Sequence, residues 1–583
     1  MRFFHVTLVT LLFSLVNIQF VEGQVTVEAR IGEKLAADGY VSCILVYPPL
    51  LIKDKIPGYL DKEEKGRMAY DLLKSYMERQ SAPVIGILRS EGIDYRVNVL
   101  SSTINVTKCP EKIMARLLLQ DQLRAILYNY SFGNLEDETD EAALDLRDSY
   151  TWGLAITKTN LVHEMGFRGA GAVIGGSDTG FDWTHPAITG RYRGYHADGS
   201  DHNYNWHDAI HEVSPLSNQG TPNPCGLSLK YPCDDNSHGT HTMGTMVGVV
   251  SDTTIIGMAP EAKWIATRNM ERGNGSLQAY IEALDWFLAP TDTNDLNPDP
   301  SKAPHVINNS WYCNEEEGCN QDNWNIMQTS IANLKAAGIV VVASAGNSGP
   351  GCGSISFVPG MLDEVFSVGA TDQVDTIAGF SSRGPVSADG SMRLKPDISA
   401  PGVGVYSSVL NHGYSYYSGT SMAGPHVAGL VALMVGANPS LAGQVDTIQE
   451  IIKRTADPLT LGQDCNGFSG LEVPNPIYGY GRINALRAVE AAVGHVMSRV
   501  DRCNVAGLEI YPNPVRSELI LRNVDGHLFR SVEILDINGK VLRQLNGEES
   551  YGAVDVSGLI AGTYIIRAVS STGSYIQKFV KSN

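Results

Sequence analysis

Residues 417–430 read YSGTSMAGPHVAGL: a strand-like end, a glycine turn, and an apolar run that continues to about residue 436. A run apolar on every side reads as a helix buried in a large core, and such a core needs other layers around it. Packing gives no reason for the hydroxyl of Ser421 at the first turn of that helix. A lone Gly-Thr-Ser would be an N-cap or a small packing residue. A helix start, however, also offers unpaired N–H groups and partial positive charge, which suit a developing anion. A serine placed there becomes a nucleophile only if a base can take its proton.

Outward from that helix, residues 150–495 alternate short apolar stretches (AGAVIGGSD, AKWIATRNM, HVINNSW, GIVVVASAG) with helix-like runs at 277–288, 323–337 and 420–436. That alternation predicts βαβ units and an α/β fold, a mainly parallel sheet flanked by helices. Ligands and chemistry then belong at the carboxyl ends of strands. Three more segments put reactive side chains at such ends. VIGGSDTG closes a strand on Asp178, DNSHGTHTMGTMVG sets His238 ahead of a glycine and a helical run, and VVVASAGNSGP places Asn347 just past a strand. An imidazole can accept the serine proton, a buried carboxylate can fix its tautomer, and a carboxamide can donate to an oxyanion.

These four segments, in this order, resemble those of subtilisin-like (subtilase) serine peptidases, whose triad runs Asp, His, Ser along the chain. Sedolisins share the Gly-Thr-Ser element but lack a His-Gly-Thr segment. DWTHPAI, HNYNWHDA and APEAKWIATRN are similar to the bacillopeptidase F branch in particular. The resemblance implies Asp178 as orienting acid, His238 as general base, Ser421 as nucleophile and Asn347 as oxyanion donor. It also implies Ser310, Trp311, Tyr312, Gly346 and Phe357 as the lining of the substrate cleft. Tyr312 stands where the family usually carries a glycine, and Phe357 where the pocket floor is usually small, so the expectation is a shallow pocket for small side chains before the cut bond. The activity implied is hydrolysis of peptide bonds in proteins through an acyl-enzyme, with no cofactor required. The alternative is an inert subtilase-like body serving adhesion at a surface. Subtilases often bind structural calcium, but Asp292, Asp295 and Asp299 do not follow EF-hand spacing and no ligand is assigned. His207 and His211, four apart in 196–211, would suit zinc on a helix, whereas a polar loop shaped by its aromatics is the plainer reading.

The flanks differ in texture. Residues 1–23 combine Arg2, an apolar stretch too short for a comfortable membrane span, and VEG before a cut after Gly23, the pattern of a secretory signal. No other segment reads as a membrane span. Residues 24 to about 140 read as a small α+β unit: strands at YVSCILVYPP, YRVNVLSSTINVT and LRAILYNY, helices over 61–79 and from Pro110. The unit resembles subtilase propeptides, which assist folding and inhibit the cleft. The acidic stretch EDETDEAALD then reads as solvated linker completing a 24–149 prosegment, with processing expected between Glu136 and Tyr150. After a peptidase domain at 150–495 and a linker at 496–504, residues 505–583 alternate short strands with turns at Asn538-Gly539, Ala561-Gly562 and Thr572-Gly573, a small β-sandwich. YPNPV, DINGKV and GLIAGTYIIR resemble type A sorting domains of the type IX secretion system, against a generic adhesion or carbohydrate-binding sandwich. The resemblance implies that machinery as a partner, and a secreted or outer-surface location.

A formal charge of −19 over 583 residues argues against nucleic-acid and anionic-membrane partners. Nine cysteines suit an oxidising compartment. Cys225 with Cys233 and Cys313 with Cys319 are close in sequence and read as local disulfides. Cys43 and Cys109 form a candidate pair, and Cys352, Cys465 and Cys503 leave one over.

Overall fold

The computed structural model describes residues 25–129, 138–140, 150–214, 217, 223–502, 508–523, 529–536, 540–546, 552–570 and 574–582. The chain divides into two compact units at Val489/Glu490. The expected signal segment, Cys503 and the turns at Asn538-Gly539 and Thr572-Gly573 lie outside the described residues.

The first unit opens with the predicted α+β fold. Its five strands, β1 (Thr26–Val27), β2 (Tyr40–Val46), β3 (Tyr95–Asn98), β4 (Thr103–Pro110) and β5 (Ala125–Tyr128), run in the order β1-β5-β2-β4-β3. Helices α1 (Ala29–Asp38), α2 (Lys62–Ser90) and α3 (Glu111–Leu117) accompany them. Helix α2 starts where the sequence implies, because Asp61 and Glu64 form a reciprocal capping box, but it continues eleven residues past 79 and through Pro83. Cys43 and Cys109 do not form a disulfide. The ladder pairs Val41 with Cys109 and Cys43 with Val106, slipping between them, and both thiols are buried and free.

The larger part of this unit is built on a seven-stranded sheet whose neighbouring strands are all parallel. Its strands are β7 (Val173–Asp178), β8 (Trp206–Asp208), β9 (Lys263–Arg268), β12 (Val306–Asn309), β13 (Val340–Ser344), β14 (Phe366–Thr371) and β15 (Ile398–Pro401), with a two-stranded ladder of β10 (Met270–Glu271) and β11 (Asn274–Gly275) beside it. β6 (Glu138–Asp140) belongs elsewhere and is described below. The order β15-β14-β13-β12-β7-β9-β8 reverses direction between β7 and β12, and the crevice beyond their carboxyl ends is where such a sheet accepts ligands. Helices α4 (His238–Val247), α5 (Leu277–Leu288), α6 (Trp324–Ala336) and α7 (Thr420–Ala437) cover the faces. Helix α7 is buried from Thr420 to Val435, and it packs against α4, β12, β13, β14 and β15. Among the described residues it is the one helix long and apolar enough to cross a membrane, and here it is the core.

The α+β subdomain rests on α5 and α6. Ile44, Ile52, Leu73 and Leu100 share one apolar cluster with Ile281, Leu284, Ile331 and Leu334. Buried Asn333 ties the two parts through backbone groups: its Oδ1 accepts from Ile52 N (3.2 Å), and its Nδ2 donates to the carbonyls of Leu50 (2.9 Å) and Leu100 (3.0 Å).

The second unit begins within α8 (Ala485–Arg502), so the stretch read as linker is helical up to Arg502. Two antiparallel sheets follow. One has three strands, β18 (Leu508–Tyr511), β19 (Glu518–Asn523) and β22 (Gly552–Asp555); the other has four, β20 (Phe529–Leu535), β21 (Val541–Asn546), β23 (Gly562–Ser570) and β24 (Ser574–Lys581). Leu519, Leu521 and Val554 from the first meet Val532, Ile534, Ile566 and Phe579 from the second in one core, which makes the predicted sandwich.

Candidate active site

Asp178 is the last residue of β7 and is almost wholly buried. Its Oδ1 accepts from Nδ1 of His238 at 2.6 Å and from Thr179 N at 2.8 Å, while Thr242 Oγ1 donates to Oδ2 at 3.4 Å. The bond fixes the ring so that Nε2, the other nitrogen, carries the exchangeable lone pair when the histidine is neutral. The DTG turn after Asp178 needs its glycine. Gly180 has φ +113°, and a Cβ there would lie 1.8 Å from the Cys233 carbonyl oxygen.

His238 is the first residue of α4, after Ser237 in a left-handed conformation (φ +86°). Asp234 holds that turn. Its Oδ1 accepts from Thr179 Oγ1 (2.9 Å), Asn236 N (2.9 Å) and Ser237 N (3.0 Å), and its Oδ2 from Thr240 N (3.0 Å) and Thr240 Oγ1 (2.6 Å). Burial pushes the Asp234 carboxyl up, against the downward pull of these donors. The sequence reading did not single out Asp234; its only signal was an Asp four residues ahead of the candidate base, just past Cys233, which is joined to Cys225.

Ser421 lies in the first turn of α7, buried, and its hydroxyl donates to the Ser310 carbonyl at 3.2 Å. Pro425 has no N–H for the Ser421 carbonyl four residues back, and the Ser310 hydroxyl fills that gap at 2.8 Å. Ser310 follows β12, so the end of a central strand and the start of the helix that holds Ser421 are bonded both ways. Past β13, Asn347 Oδ1 accepts from Thr420 N (2.9 Å) and Thr420 Oγ1 (2.7 Å), and Thr420 Oγ1 accepts from Gly346 N (3.2 Å). With its oxygen committed to Thr420, the carboxamide of Asn347 presents its N–H₂ away from that residue.

Tyr312 and Phe357 stack, centroids 5.2 Å apart at 21°. Trp311 departs from expectation. Its side chain is buried, stacked on Tyr280 at 3.9 Å and 4°, and it donates to the Ser177 carbonyl at 3.1 Å. Only its backbone is left to line a cleft. Beside this stack, burial raises the Glu317 carboxyl to about 8. The acidic stretch read as linker contributes β6, which runs antiparallel to β17 (Gly413–Ser418), with Glu138 opposite Ser418. β17 itself forms a hairpin with β16 (Val405–Val409) and ends three residues before Ser421.

Among the described residues no group of three or more His, Cys, Asp or Glu side chains is set to hold a metal. Asp292 accepts from Asn294 N, Leu296 N and Asn297 Nδ2 of its own loop, and Asp299 caps Ser301. Disulfides join Cys225 to Cys233, Cys313 to Cys319, and Cys352 to Cys465.

The parallel sheet carries an Asp–His pair at one strand end, the helix that His238 opens packs against the helix that holds Ser421 in its first turn, and residues 169–481 match the subtilase family. The chain belongs to that family. Among curated proteins, bacillopeptidase F of Bacillus subtilis (strain 168) is 36% identical over 396 residues, 66% of this chain but 25% of that protein. Serine protease AprX of the same strain is 32% identical over 345 residues, 55% of this chain and 66% of AprX. The thermophilic serine proteinase of Bacillus sp. (strain AK1) is 31% identical over 343 residues, 58% of this chain and 67% of that proteinase. The chain thus spans a quarter of bacillopeptidase F and about two thirds of the other two. Residues 509–582 match the secretion system C-terminal sorting domain.

Proposed function

We propose that the chain is a serine endopeptidase that is made as a zymogen and exported. Ser421 attacks the substrate carbonyl carbon while His238 Nε2 takes the hydroxyl proton. Asp178 holds the ring and stabilises the imidazolium. The oxyanion is received by Asn347 and the Ser421 amide. His238 then passes its proton to the leaving amine, and water, deprotonated by the same ring, hydrolyses the ester. The observation that carries this reading is the 2.6 Å bond between buried Asp178 and His238, on a helix that packs against the one holding Ser421 in its first turn. The Ser421 hydroxyl rests on Ser310 and turns to the imidazole as substrate enters; such bonds tighten on binding. The Tyr312–Phe357 stack supports a pocket that takes small side chains.

Residues 24–149 act as an inhibitory propeptide. Support comes from the shared apolar cluster, the Asn333 contacts, and β6 lying against the strand that leads to Ser421. The type IX machinery recognises the C-terminal sandwich and delivers the enzyme to the outside or the outer surface. The test is a diaryl phosphonate carrying a small residue: it labels Ser421 of the processed protein and abolishes peptide hydrolysis. A correctly folded, processed protein that takes no label would reject the assignment.

A further inference from the structure

Away from the candidate triad, four side chains of the body converge on one side chain of the N-terminal subdomain. Arg96, on β3, donates from Nη2 to Asp295 Oδ2 (2.8 Å), and its Nε lies 3.1 Å from Glu282 Oε1 in an ion pair. His207 meets the same two carboxylates, Nε2 on Glu282 Oε1 (2.9 Å) and Nδ1 on Asp295 Oδ1 (3.2 Å). His211 Nε2 is 2.8 Å from that Glu282 oxygen, with its Nδ1 on Ser228 Oγ at 2.8 Å. Two imidazole nitrogens and one guanidinium nitrogen thus crowd one carboxylate oxygen, and Glu282 is buried. Four residues beyond Arg96, the Leu100 amide donates to Asp285 Oδ1 at 2.7 Å, so the whole 96–100 segment is received by carboxylates of the body.

We infer that this face is a proton-switched receptor for Arg96, in which His207 competes with its guanidinium for Glu282 and Asp295, so that the N-terminal subdomain grips the body more firmly as pH rises. Its regulatory meaning rests on the propeptide reading. A His207 ring with a carboxylate at each nitrogen satisfies both bonds only as an imidazolium. With His207 charged, Glu282 and Asp295 already have one cation between them, and Arg96 brings a second positive charge close to it in a half-buried place. With the His207 ring neutral, Arg96 is the cation that answers Glu282 and Asp295. The other charged groups nearby are Asp285 on α5, Asp208 beside His207, and Glu212 with Lys108 beside His211.

The linkage has a definite sign. Burial lowers the His207 pKa, but its bonds to Asp295 and Glu282 outweigh this and hold it above the ordinary imidazole range, while Arg96 pulls it down. Taking Arg96 away therefore raises it further, and docking expels the proton. A ligand that expels a proton binds more tightly at higher pH, by at most about tenfold per pH unit for each proton. The window lies at and above about pH 6.5, the usual imidazole value.

Hydrogen exchange on full-length Ser421→Ala protein tests this without self-cleavage. The amides of Ile52 and Leu100, which bond to Asn333 and Asp285, report opening of the interface once rates are corrected for intrinsic exchange. Opening should be about tenfold more frequent at pH 6.0 than at pH 8.5. The His207→Gln/His211→Gln double variant should remove that ratio, and Arg96→Gln should open the interface at both pH values alike. A ratio near one in the parent, or an unchanged ratio in the double histidine variant, overturns the inference. If residues 24–149 turn out not to inhibit the active enzyme, the exchange ratio still decides the switch; if they inhibit and the ratio is flat, the switch alone falls.

Discussion

Replacing Asp234 by Asn should impair turnover although Asp234 is not a member of the triad. Its two oxygens accept five hydrogen bonds, three of them from backbone amides at the turn that carries His238. Asn can keep the three bonds on Oδ1, but its N–H₂ then faces the donors from Thr240. The Thr240 hydroxyl can reverse, since it already accepts from Asp182 N at 2.9 Å; the Thr240 amide cannot. One buried amide left without an acceptor costs about 1–3 kcal/mol, and loss of the charge from the other bonds adds about 1 kcal/mol. Part of this returns, because burial already opposes ionisation of Asp234. The net expectation is about 2 kcal/mol of stability. A shift of the α4 start by about 1 Å moves the imidazole off line and costs about 10²-fold in kcat with little change in KM. The assays are steady-state hydrolysis of a small-residue peptide, and thermal unfolding of the same substitution in a Ser421→Ala background. An Asn variant with parental kcat and an unchanged melting temperature would refute the reasoning.

Ser421→Ala should stay unprocessed between Glu136 and Tyr150 when purified alone; N-terminal sequencing decides, and normal processing in isolation would exclude self-cleavage. Tyr312→Gly with Phe357→Ala should relax discrimination against large side chains before the cut bond by about 10- to 200-fold in kcat/KM, measured on a peptide library. Burial holds His241 and His305 near about 3, and His163 and His426 near about 4. Each stays neutral in the fold while the unfolded chain takes up protons below about pH 6.5. Stability is therefore full above that value and falls as pH drops toward 4, so the melting temperature of the Ser421→Ala protein should decline across this range; a flat profile would contradict the burial argument.

The four candidate residues stood out because Asp178 and Asn347 follow apolar runs that read as strands, while His238 and Ser421 open runs that read as helices, and such ends lie at the rim of a sheet. Asp234 was not legible, since its role comes from donors at 179 and 236–240 that only the fold gathers. An aromatic just past a strand end can turn either way, and nothing near Trp311 in sequence announces Tyr280 as its stacking partner. His207 and His211 would suit zinc only on a helix and were read as part of a polar loop; Trp206–Asp208 is an edge strand, and the two rings meet through Glu282, remote in the chain. The acidic composition of 136–145 spoke for solvent, and strand addition to β17, which needs only backbone groups, leaves no trace in composition. In the N-terminal subdomain, apolar residues at helix spacing marked α2 over 61–79, while Pro83 hid how far it runs.

The Cys352–Cys465 crosslink spans 113 positions, and Ser421 lies inside that span. A peptidase at high concentration nicks its own surface. Any single cut from 353 to 464 leaves both fragments fastened together, the one bearing Ser421 included, so damage there would show on a gel only after reduction.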